Sequence, residues 1–341
     1  MERFRAGIAL LLAFVAAQAV RDVYLRHLFG NLGLFDVALV AFGTVAGVFG
    51  LGLALFGRYQ IGLLRTAWRK VIAVNVTTVV AWMSYFGALR LVEPAAVNLA
   101  FSGVAPAAVA FWSLLGLRGG AERKPGRVEA ALHWALVGIV GAVAVIVSSG
   151  QSGVSRIDPA TGLLGIALAA FSGIIIAAES IISKRMNEAG ISALSIVGVR
   201  FSLVTAVAAL MVIRAPGELS RLSSGAIAEQ SLIFLLILVG PIYLGQVGLK
   251  LTNPLLSNVI GALGPIATLA LQATVGIVPM SSAMLIATAA YAIFAITAAG
   301  VGAASSSRRP ATHDREVFSC AEGPIGIPRD GRRKRRRDGK G

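Results

Sequence analysis

Asn258, Gly261, Pro265, Thr268 and Gln272 recur at i, i+3, i+7, i+10 and i+14, so a helix over this stretch sets them on one face. Asn98, Ser102, Ala105 and Trp112 form a second, drier stripe beside Pro106. Both stripes run through apolar sequence, where an amide or hydroxyl without a partner is costly. The chemistry such groups offer is a non-covalent grip on a small solute. Each proline removes an N–H and clashes with the carbonyl four residues earlier, so Pro106 frees that of Ser102 and Pro265 that of Gly261. Freed carbonyls either find neighbours in a packed kink or line a wet path. Likewise the two asparagines serve either as a lining for that path or as links between helices, worth roughly 0.6 kcal/mol per bond.

Arg200 is the one basic residue near the middle of an apolar run, about 15 Å from the run's start at 1.5 Å per residue. An arginine at that depth costs at least about 2.5–3.5 kcal/mol and calls for an anionic partner or a wet cavity. Glu179 is the nearest acidic candidate. Two readings stand side by side: a structural ion pair, or an Arg200 that clamps a carboxylate or phosphate while Glu179 acts as the protonatable coupling group.

Bond-breaking chemistry is harder to assemble. Gly150-Gln151-Ser152-Gly153 has the GxSG form of intramembrane serine proteases, but a serine nucleophile needs a base within reach. The histidines, His27, His133 and His313, are expected near one membrane face, near the other, and in the tail. No His, Asp or Glu cluster within an apolar run has metal-ligand spacing. The expectation is therefore no catalytic residue, no metal and no cofactor.

The elements that position these residues follow from composition. Of 341 residues 56% are hydrophobic and 14% charged, against roughly 25% charged in soluble domains. Apolar runs of membrane-spanning length follow one another at 7–28, 34–56, 70–89, 94–117, 130–149, 161–182, 191–213, 231–250, 254–277 and 281–303. They lack period-2 alternation, which points to helices rather than barrel strands. The expected fold is an all-α membrane protein of ten transmembrane helices. Arg3, Arg5 and Ala17-Gln18-Ala19 also fit a cleavable signal peptide, a reading that would leave the halves unmatched.

Loop charge sets the expected orientation. With the N-terminus inside, inward segments carry Arg3, Arg5, Arg58, Arg65, Arg69, Lys70, Arg118, Arg123, Lys124, Arg127, Lys184, Arg185 and Lys250. Outward ones carry Arg21, Arg26, Arg90, Arg156, Arg214 and Arg221, so the bias is 13 to 6 and both termini are expected in the cytoplasm of a bacterial inner membrane. From 305 to 341 the chain turns polar and ends in the basic run Arg332 to Arg337, read as a disordered cytoplasmic tail. Anionic lipids are a candidate partner of that run, and nucleic acid is not expected. Gly43 and Gly47 permit close helix approach and hence a homodimer, without requiring one.

The sequence also repeats. Tyr85, Gly87, Pro94, Asn98 and Pro106 are answered by Tyr243, Gly245, Pro254, Asn258 and Pro265, with Pro94 to Pro254 and Asn98 to Asn258 both offset by 160 positions. Five spans separate the pairs, so the halves, 1–149 and 161–304 joined by a linker at 150–160, are expected to be inverted five-helix repeats.

On Tyr85 to Leu117 and Ile242 to Ile277, with Arg200-Phe201 and Glu122-Arg123, the chain resembles the drug/metabolite transporter superfamily, in particular its EamA-like branch with ten spans. The resemblance implies a secondary transporter, expected to export a small metabolite or drug-like molecule across the plasma membrane by alternating access. A passive channel is the alternative, and an intramembrane enzyme a distant one. Asn98, Ser102, Arg200, Asn258, Thr268 and Gln272 are the candidate substrate-binding residues, with Pro106 and Pro265 as helix breaks and Glu179 as the coupling candidate.

Overall fold

Helix boundaries follow local capping chemistry. The computed structural model describes residues 2–117, 126–153, 157–215, 223–241, 244–245, 251–252, 260–276 and 279–307. In it α1 spans Glu2–Leu28 and α2 Leu34–Phe56; Asp36 in the first turn of α2 accepts a bond from the Gly33 N–H at 3.2 Å. A short α3, Arg58–Thr66, precedes α4, Trp68–Leu91. Glu93 is extended, as residues before proline are, and Pro94 opens α5, Pro94–Leu114. Helix α6 covers Arg127–Ser148. Asp158 caps α7, Pro159–Glu188, by accepting from the Thr161 N–H, and Ser192 caps α8, Ala193–Arg200, by accepting from the Ser195 N–H.

Phe201 interrupts the next helix for one residue, after which α9 runs Ser202–Arg214. Helix α10, Ser224–Phe234, continues as a π-helical turn over Leu235–Val239; α11 is Gly264–Val275 and α12 is Ser282–Ser307. Among the described residues the chain is all-helical, and eight helices are long and apolar enough to cross a membrane, counting α8 and α9 as one. The stretches Gly225–Val239 and Gly264–Val275 are apolar but shorter. The rest of the expected eighth and ninth runs, with Tyr243, Pro254 and Asn258, lies outside the described residues, as does the tail from 308.

Eight of the ten expected runs coincide with membrane-length helices, and two further differences stand out. Helix α3 fills what the hydropathy pattern leaves as a connection, because nine residues with Ile61, Leu63 and Leu64 on one side are too few to register as a span. And the break falls at Phe201 rather than at Pro106, since α5 continues through that proline to Leu114. One missing N–H, inside a helix packed on its neighbours, does not end it.

Met1–Ala303 form one packed unit; of the second, Ala304–Gly341, the described residues are the end of α12. In the first, α7 packs on α4 and α5, α2 on α8 and α9, α1 on α11, and α11 on α5. Glycine sets the closest crossings. A Cβ at Gly173 of α7 would stand 2.2 Å from the Phe101 carbonyl oxygen of α5, so no other residue allows that approach. The core holds an aromatic cluster of Phe42, Trp82, Tyr85, Phe86 and Phe201. Outward faces are apolar too: Leu51, Phe56, Trp134, Ile286 and Ile293 are 61%, 89%, 69%, 70% and 65% exposed, a surface suited to hydrocarbon rather than water.

Candidate functional site

Asp22 is the acidic residue of the otherwise apolar body of α1, and it is fully buried. A carboxylate in that position persists only with donors around it. Arg21 supplies two, its Nε and Nη2 each 2.8 Å from Oδ1, and the Asn98 amide of α5 donates to Oδ2 at 2.8 Å. The Arg21 guanidinium lies over the rings of Trp82 at 5.4 Å and Tyr85 at 5.6 Å, a dry environment in which a cation on an aromatic face gains most. The Tyr85 hydroxyl is buried without a hydrogen-bond partner among the described residues. Ser102 donates to the Asn98 amide oxygen at 3.4 Å.

A second ion pair, of buried Glu179 and half-buried Arg200, lies between α7 and α8. Arg200 Nη1 is 2.8 Å from Glu179 Oε1, which also accepts from Ser183 Oγ at 2.7 Å. Arg200 is the last residue of α8, where the helix dipole favours a cation, and its guanidinium covers the Phe201 ring at 4.6 Å. The backbone groups freed by the interruption are met from outside: Asn75 Oδ1 accepts from the Leu203 N–H at 3.1 Å. The Thr205 hydroxyl donates to the Phe201 carbonyl at 2.8 Å. Arg200 Nε is buried and has no acceptor among the described residues.

The aromatic cluster joins the two pairs. Arg21 rests on Trp82; Trp82 meets Phe42 and Phe201; Arg200 rests on Phe201.

A third polar contact ties α5 to α11. The Gln272 side chain accepts from the Ala95 N–H at 3.2 Å and donates to Glu93 Oε2 at 3.3 Å. Glu93 is 1% exposed. Burial pushes its carboxyl up to about 7, against the opposing pull of Gln272, the Gly153 backbone and the Arg26 charge.

The expected residues thus fall into two groups. Asn98, Ser102, Thr268 and Gln272 sit on α5 and α11, which pack together, with Gly264 closing on the Asn98 amide and Thr268 bonding back to the Gly264 carbonyl at 3.0 Å. Glu179 and Arg200 form the other group. Pro106 lies within α5, Pro265 in the first turn of α11, and Asn258 outside the described residues. Asn98 stands in the second turn of α5, about 6 Å along the axis from Pro94. Sequence reasoning overlooked Asp22 and Glu93. An acid inside an apolar run is a signal in itself, but Arg21 was assigned to the outer end of the first span and its neighbour passed over with it.

Among solved structures, one described as "Crystal structure of protein" is similar to this chain with a TM-score of 0.57 at 19% identity, covering 92% of this chain and 99% of its own. At that identity the likeness shows the fold alone. No protein-family model matches the chain, and no curated protein does.

Proposed function

We propose that this chain is an integral membrane secondary transporter of the EamA-like kind. In this reading it has ten spans in two inverted five-helix repeats and both termini in the cytoplasm of a bacterial inner membrane. It exports a small, anionic metabolite or drug-like molecule by alternating access. The helix boundaries support the repeat. Adding 160 to α1 gives 162–188 beside Pro159–Glu188 for α7; adding it to α2 gives 194–216 beside Ala193–Arg214; adding it to α6 gives 287–308 beside Ser282–Ser307. Packing follows the same exchange: α5 on α7 is answered by α11 on α1, and α4 on α7 by the α10 π-turn on α1.

The observation that carries the function is the pair of ionic contacts in an apolar bundle, the buried Arg21 with Asp22 and the half-buried Arg200 with the buried Glu179. Burying ion pairs adds little or nothing to stability compared with apolar side chains, so within a membrane they mark a transport path. Asp22 and Glu179 lie in α1 and α7, which correspond under the repeat. Arg200 has a buried Nε still open to an acceptor, which suits a carboxylate or phosphate. Glu179, paired with that arginine, is then the protonatable group that couples export to proton entry. On the other side, the Gln272 contacts with Glu93 and Ala95 close the bundle between α5 and α11.

Reconstitution in proteoliposomes tests the reading. Saturable flux with counterflow, driven by a proton gradient, is expected for an anionic metabolite found by screening. Unsaturating conductance would make the chain a channel.

A further inference from the structure

Helix α3 divides cleanly by side. Gln60, Ile61, Leu63 and Leu64 turn inward, Leu64 packing with Ile191, Ile196 and Met186. Arg58 and Arg65, seven positions apart and so on one stripe, are exposed together with Arg69 just beyond the helix. At the two ends stand Phe56, 89% exposed, and Trp68, 55% exposed, with the Arg69 guanidinium over the Trp68 ring at 5.4 Å. No acidic residue occurs between Asp36 and Glu93. Aromatic rings flanking an arginine stripe, at the ends of two membrane-length helices, match the layer where hydrocarbon gives way to head groups.

We propose that α3, with Phe56, Trp68 and Arg69, is an interfacial helix that binds the head groups of anionic lipids and braces the α7–α8 turn. This rests on the membrane reading above and on nothing about the substrate. The brace is the Gln60 side chain, which accepts from the Ser192 N–H at 2.8 Å and donates to the Gly190 carbonyl at 3.4 Å. That turn is tight, with Gly190 at φ 84°, and it leads directly into α8, which ends at Arg200. Lipid held on the arginine stripe therefore restrains the turn joining the two helices that carry Glu179 and Arg200. The lipid is recognised by its phosphate charge, which the three guanidinium groups pair, while Phe56 and Trp68 enter the acyl boundary.

Native mass spectrometry of the full-length protein in detergent, with phosphatidylglycerol or phosphatidylcholine added, reads the binding. The parent should retain the anionic lipid preferentially. The triple variant Arg58→Gln, Arg65→Gln, Arg69→Gln should lose retention about tenfold or more, given roughly fivefold per basic side chain at an anionic surface. A full-length chain with Arg332 to Arg337 neutralised to Gln should retain phosphatidylglycerol as the parent does. Equal retention by the triple variant, or loss in the tail variant alone, overturns the proposal. Hydrogen exchange reads the brace: phosphatidylglycerol should slow exchange across 189–192 in the parent and not in Gln60→Ala, and equal slowing in both removes the brace. Neither readout needs sidedness or flux, so a failed transport assay leaves this result standing.

Discussion

Phe42 of α2 and Phe201, at the break between α8 and α9, stack face to face with ring centroids 5.3 Å apart and planes 9° from parallel. From 42 to 201 is 159 positions, one short of the offset that relates Pro94 to Pro254. The stack also fixes the interruption, because Phe201 is fully buried against Phe42 and Trp82 and carries Arg200 on its face.

Asp22 balances Arg21, which makes no ion pair with another acid among the described residues. Asp22→Asn should leave Arg21 buried without a counter-charge and cost about 3–5 kcal/mol, seen as a lower melting temperature in detergent. Arg21→Gln in the same chain should recover most of that loss. Asn98→Leu should insert normally and abolish flux; normal uptake or export would reassign Asn98 to packing.

For Arg200 and Glu179, folding and transport should separate. Arg200→Lys is expected to fold but to carry an anionic substrate poorly, because one ammonium cannot hold Glu179 and present a planar fork at once. Glu179→Gln should shift the pH dependence of flux. If Arg200→Gln misfolds and Glu179→Gln rescues it, the pair is structural and the anion-binding role of Arg200 falls.

Glu93 makes a pH prediction with a definite sign. Its carboxyl rises from 4.5 to about 7 through burial, so the fold holds a proton that the unfolded chain releases between those values. Stability is therefore lost as pH rises through that window, by roughly 3 kcal/mol at most, and the cost is complete above about pH 7. Glu93→Gln stays neutral, so its melting profile from about pH 5 to pH 8 should be flatter and the variant more stable at the upper end. Parallel profiles for parent and variant would contradict this.

Orientation rests on the 13 to 6 bias of basic residues between the two sets of loops. A C-terminal fluorescent-protein fusion should fluoresce and a phosphatase fusion should be inactive. Active phosphatase would overturn both the topology and the inverted-repeat argument.

Hydropathy alone located the membrane-length helices, because hydrocarbon demands about twenty apolar residues whatever the neighbours are. The run at 34–56 became α2, Leu34–Phe56, and Pro94 opened α5, since capping and proline chemistry act within a few residues. The 160-position offset was equally legible, because it is a property of spacing. The sequence also singled out Arg200 and Glu179 as candidates, since a charge deep in an apolar run must be answered. Which acid answers which base was decided by packing: Asp22 turns to its neighbour Arg21 and to Asn98, 76 positions on, while Asn75 reaches across 128 positions to cap the break at Phe201. Partners so far apart in the chain meet only where α1 packs on α5 and α4 on α9. No local pattern encodes such a crossing, and so the break without a proline and the site around Asp22 emerge only from the tertiary structure.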